Sequence, residues 1–496
     1  MNTPITINSS GVTAADVCAV ARYRAPVAVS ASALDAVAAS RLIIEQLAAG
    51  DIPSYGISTG FGALAQRHIP LESRVQLQRS LIRSHAAGMG PLVEEEVVRA
   101  LMFLRLKTLC SGHTGVRPVV VETLAAMLNA GIVPPVREFG SLGCSGDLAP
   151  LSHVALALMG EGEAADAMRA AGIAPVELRE KEGLALINGT DGMLGMLVMA
   201  LADLDMLMRT ADLTAAMSVE GLLGTDQVFR AELQALRPHP GQAMSAANLT
   251  SFLHGSPIVA SHREGDTRVQ DAYSLRCTPQ VHGAARDTFS YAAVVADREL
   301  ASSIDNPVVL PNGSVSSNGN FHGAPVAYVL DFCAIAVADV ASICERRTDR
   351  HLDRARNHGL PPFLADDPGV DSGLMIAQYT QAALVHECKR LAQPSSVDSI
   401  PSSAMQEDHV SMGWSAARKL RTAVDNLARV IAVEAVTAAR SIELRSPLTP
   451  ASSTGRAVAA LRAAGVGGPG SDRHLSPELE IAARLVRTGE LIAAVG

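Results

Sequence analysis

The chain has 496 residues, with 41 basic against 50 acidic side chains for a net charge of −9, long enough for a large core and two or three subdomains. That acidity argues against a nucleic-acid binder, which would present a basic face. Hydrophobic residues make up 48% and mean hydropathy is +0.20, yet no run reaches the ~18 uninterrupted apolar residues of a membrane span. The start, Met1-Asn2-Thr3-Pro4-Ile5-Thr6, lacks a charged, apolar, small-residue leader pattern. The seven cysteines are odd in number and scattered, as free thiols in a reducing compartment would be. A soluble cytoplasmic protein without membrane or nucleic-acid partners is expected.

In chain order, Ile5–Ile7 reads as a strand and Ala31–Ala49 as a helix stopped by Gly50. Tyr55-Gly56-Ile57-Ser58-Thr59-Gly60-Phe61-Gly62 is a glycine-rich loop that opens on an aromatic hydroxyl. Its G-x-S-x-G also matches a serine-hydrolase elbow, but that needs a preceding strand and a parallel sheet, and the surroundings are helical. Ser84-His85 follows a helical stretch, and Val93 to Cys110 reads as another helix.

Gly140-Ser141-Leu142-Gly143-Cys144-Ser145-Gly146-Asp147-Leu148 is the most informative stretch. The Gly146 amide nitrogen can attack the Cys144 carbonyl and close a five-membered ring. Loss of water from the ring and from Ser145 leaves an exocyclic methylidene, an electrophile that no side chain supplies. Glycine suits the attacking position because it lacks a Cβ. A helix beginning near Asp147 turns its positive end toward the ring. Taken alone, the motif also fits Ser145 or Asp147 as a helix cap.

Leu151, Val154, Ala155 and Leu158 then form an apolar stripe. Glu182 to Thr190 is an apolar run ending in the amide of Asn188, by itself a turn former. In Arg268 to Gln280, Gln270, Tyr273 and Arg276 recur at three-residue spacing, so one helical face could present all three. The other reading is an ordinary polar helix face. A guanidinium such as Arg276 grips a carboxylate with two hydrogen bonds.

Val308–Leu310 reads as a short strand before the turn Pro311-Asn312-Gly313. Phe321 and His322 lie in Asn318-Gly319-Asn320-Phe321-His322-Gly323. Ala324 to Arg347 and Trp414 to Ile442 are long helical patterns that suit a bundle. Between them, Gln393–His409 is loop-like and carries Glu407, which alone could be a solvated acid. Gly465–Gly470 formally matches GxGxxG but follows a helix and contains proline, so it reads as a linker and no nucleotide is expected. His322 has no partner at metal-ligand spacing, and neither HExxH nor paired CxxC occurs, so no metal is expected.

The stretch around Ser145 resembles the motif of the aromatic amino-acid ammonia-lyase family, in which Ala-Ser-Gly becomes 4-methylidene-imidazol-5-one (MIO). Here Cys144 stands for the alanine, and only its carbonyl enters the ring. The loop at Tyr55 resembles the family's Tyr-Gly-Ile-Asn-Thr-Gly-Phe-Gly, with Ser58 for asparagine. The stretches around Asn188, Arg276, Phe321 and Glu407 follow in family order, from about Tyr55 to about Ser446. Departures are Ala324 for a glutamate and Met405 for an asparagine.

The resemblance implies a mainly α fold: a long-helix bundle (206–496) and a smaller N-terminal part carrying the MIO (1–205). It also implies a homotetramer with shared active sites. The MIO would form from Cys144, Ser145 and Gly146. Tyr55, Tyr273 and Glu407 would be catalytic, with Tyr55 or Tyr273 as the base. His85, Asn188, Gln270, Arg276 and Phe321 would bind substrate, Arg276 taking the carboxylate.

Ser84-His85 and Glu407 resemble the histidine-specific members, since a carboxylate can hydrogen-bond an imidazole. The implied reaction is non-oxidative deamination of L-histidine to trans-urocanate and ammonia, through amine or imidazole attachment to the MIO. The alternatives are a tyrosine or phenylalanine lyase, an aminomutase on the same scaffold, or a non-catalytic member.

Overall fold

The computed structural model describes residues 3–50 and 53–496; Met1 and Asn2 of the leader comparison lie outside them. The fold is mainly α. Among the described residues its sheets are three two-stranded pairs. Ile5–Ile7 runs parallel to Val27–Val29, Met89–Leu92 antiparallel to Arg137–Phe139, and Val308–Val309 antiparallel to Val315–Ser316.

Helix Ala31–Ala49 begins where the Ser30 hydroxyl accepts the Ala33 amide at 3.2 Å and ends at Gly50. Helix Glu95–Leu109 is buried from Val97 onward, so its charged Arg99, Arg105 and Lys107 must find partners inside the protein. The longest helices are Asp191–Gly221, Thr278–Ala301, Ala324–Leu352 and Gly413–Glu443.

The chain divides into two compact units. The first comprises Met1–Met199, Ala293–Asp331 and Pro394–Arg418; the second comprises Ala200–Ala292, Phe332–Gln393 and Lys419–Gly496. The sequence reading kept two contiguous pieces, whereas here the first unit also takes two later segments. Those segments carry Phe321 and Glu407.

Two stretches, Glu182–Gly221 and Ala324–Leu352, are long and apolar enough to cross a membrane, with mean hydropathy 1.6 and 1.9. Their apolar windows are 94% and 61% buried within the protein, as core helices are. The Gly465–Gly470 segment is a loop without a neighbouring strand, followed by helix Ser476–Arg487.

In the second unit an ion pair is wholly enclosed. Arg347 Nε and Nη2 donate to Glu434 Oε1 and Oε2 at 2.5 and 3.0 Å. Ser218 and Thr214 hydroxyls supply further donors to that carboxylate at 2.8 and 3.1 Å. Removing one partner strands a buried charge, which costs more than the pair contributes. Glu434→Gln is therefore expected to lower stability by about 3–5 kcal/mol, measured by urea denaturation.

Candidate active site

A cavity of about 1140 Å³ opens in the first unit, and Ser145, Glu407, His85, Tyr55, Asn188 and Phe321 all line it. Residues from five separate stretches of chain thus meet around the serine.

The Cys144-Ser145-Gly146 turn is bent by backbone crowding. Gly146 has φ +80°, and a Cβ there would stand 2.3 Å from the Gly189 carbonyl oxygen. Only glycine tolerates both conditions. The Asp147 amide donates to that same oxygen at 2.7 Å. Helix Leu148–Leu158 begins one residue later. Asp147 does not cap its own helix. Its carboxylate accepts the Gly192 and Met193 amides at 2.8 and 3.0 Å, capping the start of helix Asp191–Gly221, and the Ser141 hydroxyl at 2.8 Å. The cap role weighed in the sequence is real, but it serves a helix 45 residues away along the chain.

Asn188 closes the short helix Glu182–Ile187, and its Nδ2 donates to the Ser145 carbonyl at 2.8 Å. Its Oδ1 is buried without a partner, an acceptor left for a donor that enters the cavity. The Ser145 hydroxyl donates to Glu407 Oε1 at 2.5 Å, and the Cys144 thiol to Oε2 at 3.4 Å. Burial, helped by the Glu407 charge, pushes the Cys144 thiol up to about 11, so it stays protonated at neutral pH. Burial pulls the His85 imidazole below its usual value while Glu407 acts the other way. His85 Nδ1 lies 3.0 Å from the Ser84 hydroxyl.

The Tyr55 oxygen accepts the Gly62 amide at 3.1 Å, and its ring meets Phe61 edge-on at 6.5 Å. Ser58 in the same loop is fully buried and its hydroxyl accepts the Ser54 amide at 2.9 Å. It presents no nucleophile to solvent. Phe321 lines the wall beside His322, whose ring stacks on His409 at 5.7 Å.

Gln270, Tyr273 and Arg276 are the exception. They belong to the second unit and do not line this cavity. The single helical face expected for them is not formed, because the helix is one turn, Tyr273–Arg276, and Gln270 sits in a bend before it. Next to the bend, Asp271 accepts the Thr225 amide at 2.7 Å and pairs with Arg268 at 3.5 Å. Tyr273 is 71% exposed with the Arg276 guanidinium 4.6 Å over its ring, and Arg276 Nε is buried without a hydrogen-bond partner.

The sequence profile described as "Aromatic amino acid lyase" matches residues 12–463. The chain belongs to that family. Among aromatic amino acid lyases it is 68% identical to the histidine ammonia-lyase of Streptomyces griseus, over 99% of this chain and 98% of that protein. The solved histidine ammonia-lyase from Trypanosoma cruzi superposes with TM-score 0.91 at 36% identity, covering 99% of this chain and 95% of that one. A tyrosine aminomutase from Streptomyces globisporus superposes with TM-score 0.94 at 37% identity, covering 99% and 98%.

Sequence reasoning about this lyase missed Ser402, which hydrogen-bonds Glu407, and Asn306 and Asn318 on the cavity wall. The Ser402-Ser403 pair ahead of Glu407 was the available signal for the first. Asp147 offers a direct test of the site's electrostatics. Burial raises its carboxyl to about 7 despite the Met193, Ser141 and Gly192 donors. A carboxyl raised by folding holds its proton more tightly in the folded chain. Its stabilising contribution is therefore full below the unfolded value of about 4 and is lost as pH climbs to about 7. Relative to Asp147→Asn, the natural chain is expected to lose roughly 3 kcal/mol of stability between pH 4 and 7. Urea titrations of both proteins across that range check it, and parallel curves would contradict it.

Proposed function

We propose that this chain is a histidine ammonia-lyase, converting L-histidine to trans-urocanate and ammonia with an MIO formed from Cys144, Ser145 and Gly146. The observation that carries this reading is the carboxylate of Glu407 beside Ser145, on the wall shared with His85. A carboxylate there accepts an imidazole N–H and gives a phenyl ring no equivalent. The named activity of the Streptomyces griseus relative at 68% identity supports the same choice.

The triad fits the ring. Gly146 is held with no room for a Cβ, and Asn188 holds the Ser145 carbonyl that becomes part of it. The ring supplies an electrophile, needed because the β-proton is weakly acidic and an amine leaves poorly. The chain's own residues bind and move protons around it. Asn188 Oδ1 accepts a proton donor of the substrate. Phe321 walls the pocket against water. Tyr55, whose oxygen accepts the Gly62 amide, is the base candidate that this cavity holds; positioned groups of this kind contribute ~10²–10⁴-fold.

Gln270, Tyr273 and Arg276 complete the site from another copy of the chain, in a homotetramer with shared active sites. The exposed Tyr273 supports this, as do exposed apolar side chains on helices of the second unit: Tyr291, Phe332, Ile335, Ile376 and Tyr379. Rows of that kind need covering. In this arrangement Arg276 takes the substrate carboxylate and Tyr273 is the second base candidate. Seven free cysteines support a reducing cytoplasm as the setting.

Purified protein given L-histidine is expected to develop the near-ultraviolet absorbance of urocanate, and to leave L-tyrosine and L-phenylalanine unchanged. Ser145→Ala is expected to lower turnover by ~10³-fold or more. Product from tyrosine or phenylalanine alone would contradict the histidine assignment, and full turnover by Ser145→Ala would contradict the MIO.

A further inference from the structure

Glu407 sits at the base of a loop that closes on itself. The Ser402 amide donates to the Glu407 carbonyl at 2.9 Å and the Glu407 amide to the Ser402 carbonyl at 3.3 Å. Between them Ser403, Ala404 and Met405 have φ of 50°, 51° and 69°, a left-handed run that non-glycine residues avoid. A third link joins the side chains: the Ser402 hydroxyl donates to Glu407 Oε2 at 2.8 Å.

The two oxygens of Glu407 are treated differently. Oε2 has donors from Ser402 and Cys144, at 2.8 and 3.4 Å. Oε1 accepts from Ser145, at 2.5 Å. Dehydration of Ser145 breaks its Cβ–Oγ and Cα–H bonds, forms the Cα=Cβ double bond and releases water. Oε1 thereby loses its donor, while Oε2 keeps both. Cys144 can serve because burial keeps its thiol protonated.

We propose that Ser402 and Cys144 are positioning residues that pin one oxygen of Glu407, so that the other, freed when Ser145 loses its hydroxyl, accepts the imidazole N–H of the substrate. This rests on the histidine-lyase reading above. It also gives the cysteine that stands in place of alanine a function of its own. The ring consumes only its carbonyl, and the thiol remains to hold Glu407.

The test separates binding from chemistry. Calorimetric titration of L-histidine into Ser145→Ala protein gives a Kd without turnover and with Oε1 free. Adding Ser402→Ala is expected to weaken that Kd about tenfold, as loss of a hydrogen bond to a charged group does. Ser402→Thr, which keeps a hydroxyl, should restore it to within about threefold. Cys144→Ala should weaken it by about threefold, and Cys144→Ser should recover the loss. In proteins with Ser145 intact, Ser402→Ala should raise KM for histidine more than it lowers kcat.

Unchanged Kd and KM in Ser402→Ala, with urocanate still formed by the natural chain, would overturn the pinning alone. A Ser402→Thr protein as weak as Ser402→Ala would overturn it too, because the loss would then be one of packing. A natural chain that neither binds histidine nor forms urocanate would overturn both this inference and the reading beneath it.

Discussion

The site depends on two glycine backbones pressed together. A Cβ at Gly146 would stand 2.3 Å from the Gly189 carbonyl oxygen, and one at Gly189 would stand 2.5 Å from Asp191 and 2.6 Å from Arg105. A side chain at Gly146 would force the two backbones apart, and one at Gly189 would displace the Asp191 and Arg105 side chains. With both absent, the neighbours fall into reach of one another. Asn188, one residue before Gly189, donates to the Ser145 carbonyl, and Asp147, one residue after Gly146, caps the helix that begins at Asp191. The proposed ring, its amide support and the cap are consequences of a single close approach.

That approach is held by charge buried beneath it. Arg105 Nε lies 3.4 Å from the Asp191 carboxylate, and Arg105 Nη2 donates to the Ile304 carbonyl at 2.7 Å. Lys107, on the same helix, donates to the Ser302 carbonyl, and burial lowers its ammonium to about 8 although the Asp191 charge opposes this. Lys181 and Asp305 form a second enclosed pair at 2.5 Å, next to the cavity-lining Asn306. Removing one partner of the Arg105–Asp191 or Lys181–Asp305 pair would leave an uncompensated charge in a low-dielectric interior, so opening the platform is costly. The proposed ring closure needs such support, since the attacking amide and the carbonyl must be held close before any bond forms.

Much of the candidate site was legible in the sequence where the chemistry is local. The triad reads directly because its three residues are consecutive. Helix Ala31–Ala49 reads from its composition and its terminal glycine. Through-space contacts were not legible. Asp147 looks like the cap of the helix it precedes, but its carboxylate turns to Gly192 and Met193. Three-residue spacing puts Gln270, Tyr273 and Arg276 on one helical face, but the helix is a single turn with Gln270 in a bend before it, where Asp271 is tied to Thr225 and Arg268. For Ser402 the sequence offers only the serine pair ahead of Glu407, which does not say where its hydroxyl points. The value of Ser402 lies in a hairpin whose tip adopts a conformation that sequence patterns do not encode. The two units interleave segments from distant parts of the chain, which periodicity along the sequence cannot report.

In the proposed chemistry Cys144, Ser145 and Gly146 react with one another. High-resolution mass measurement of the purified protein, with a peptide spanning residues 140–150, tests it most directly. The account predicts a mass two waters below that of the translated sequence, with the loss confined to that peptide. An unmodified mass in a folded, soluble preparation would contradict it and leave Glu407 bonded to an intact serine.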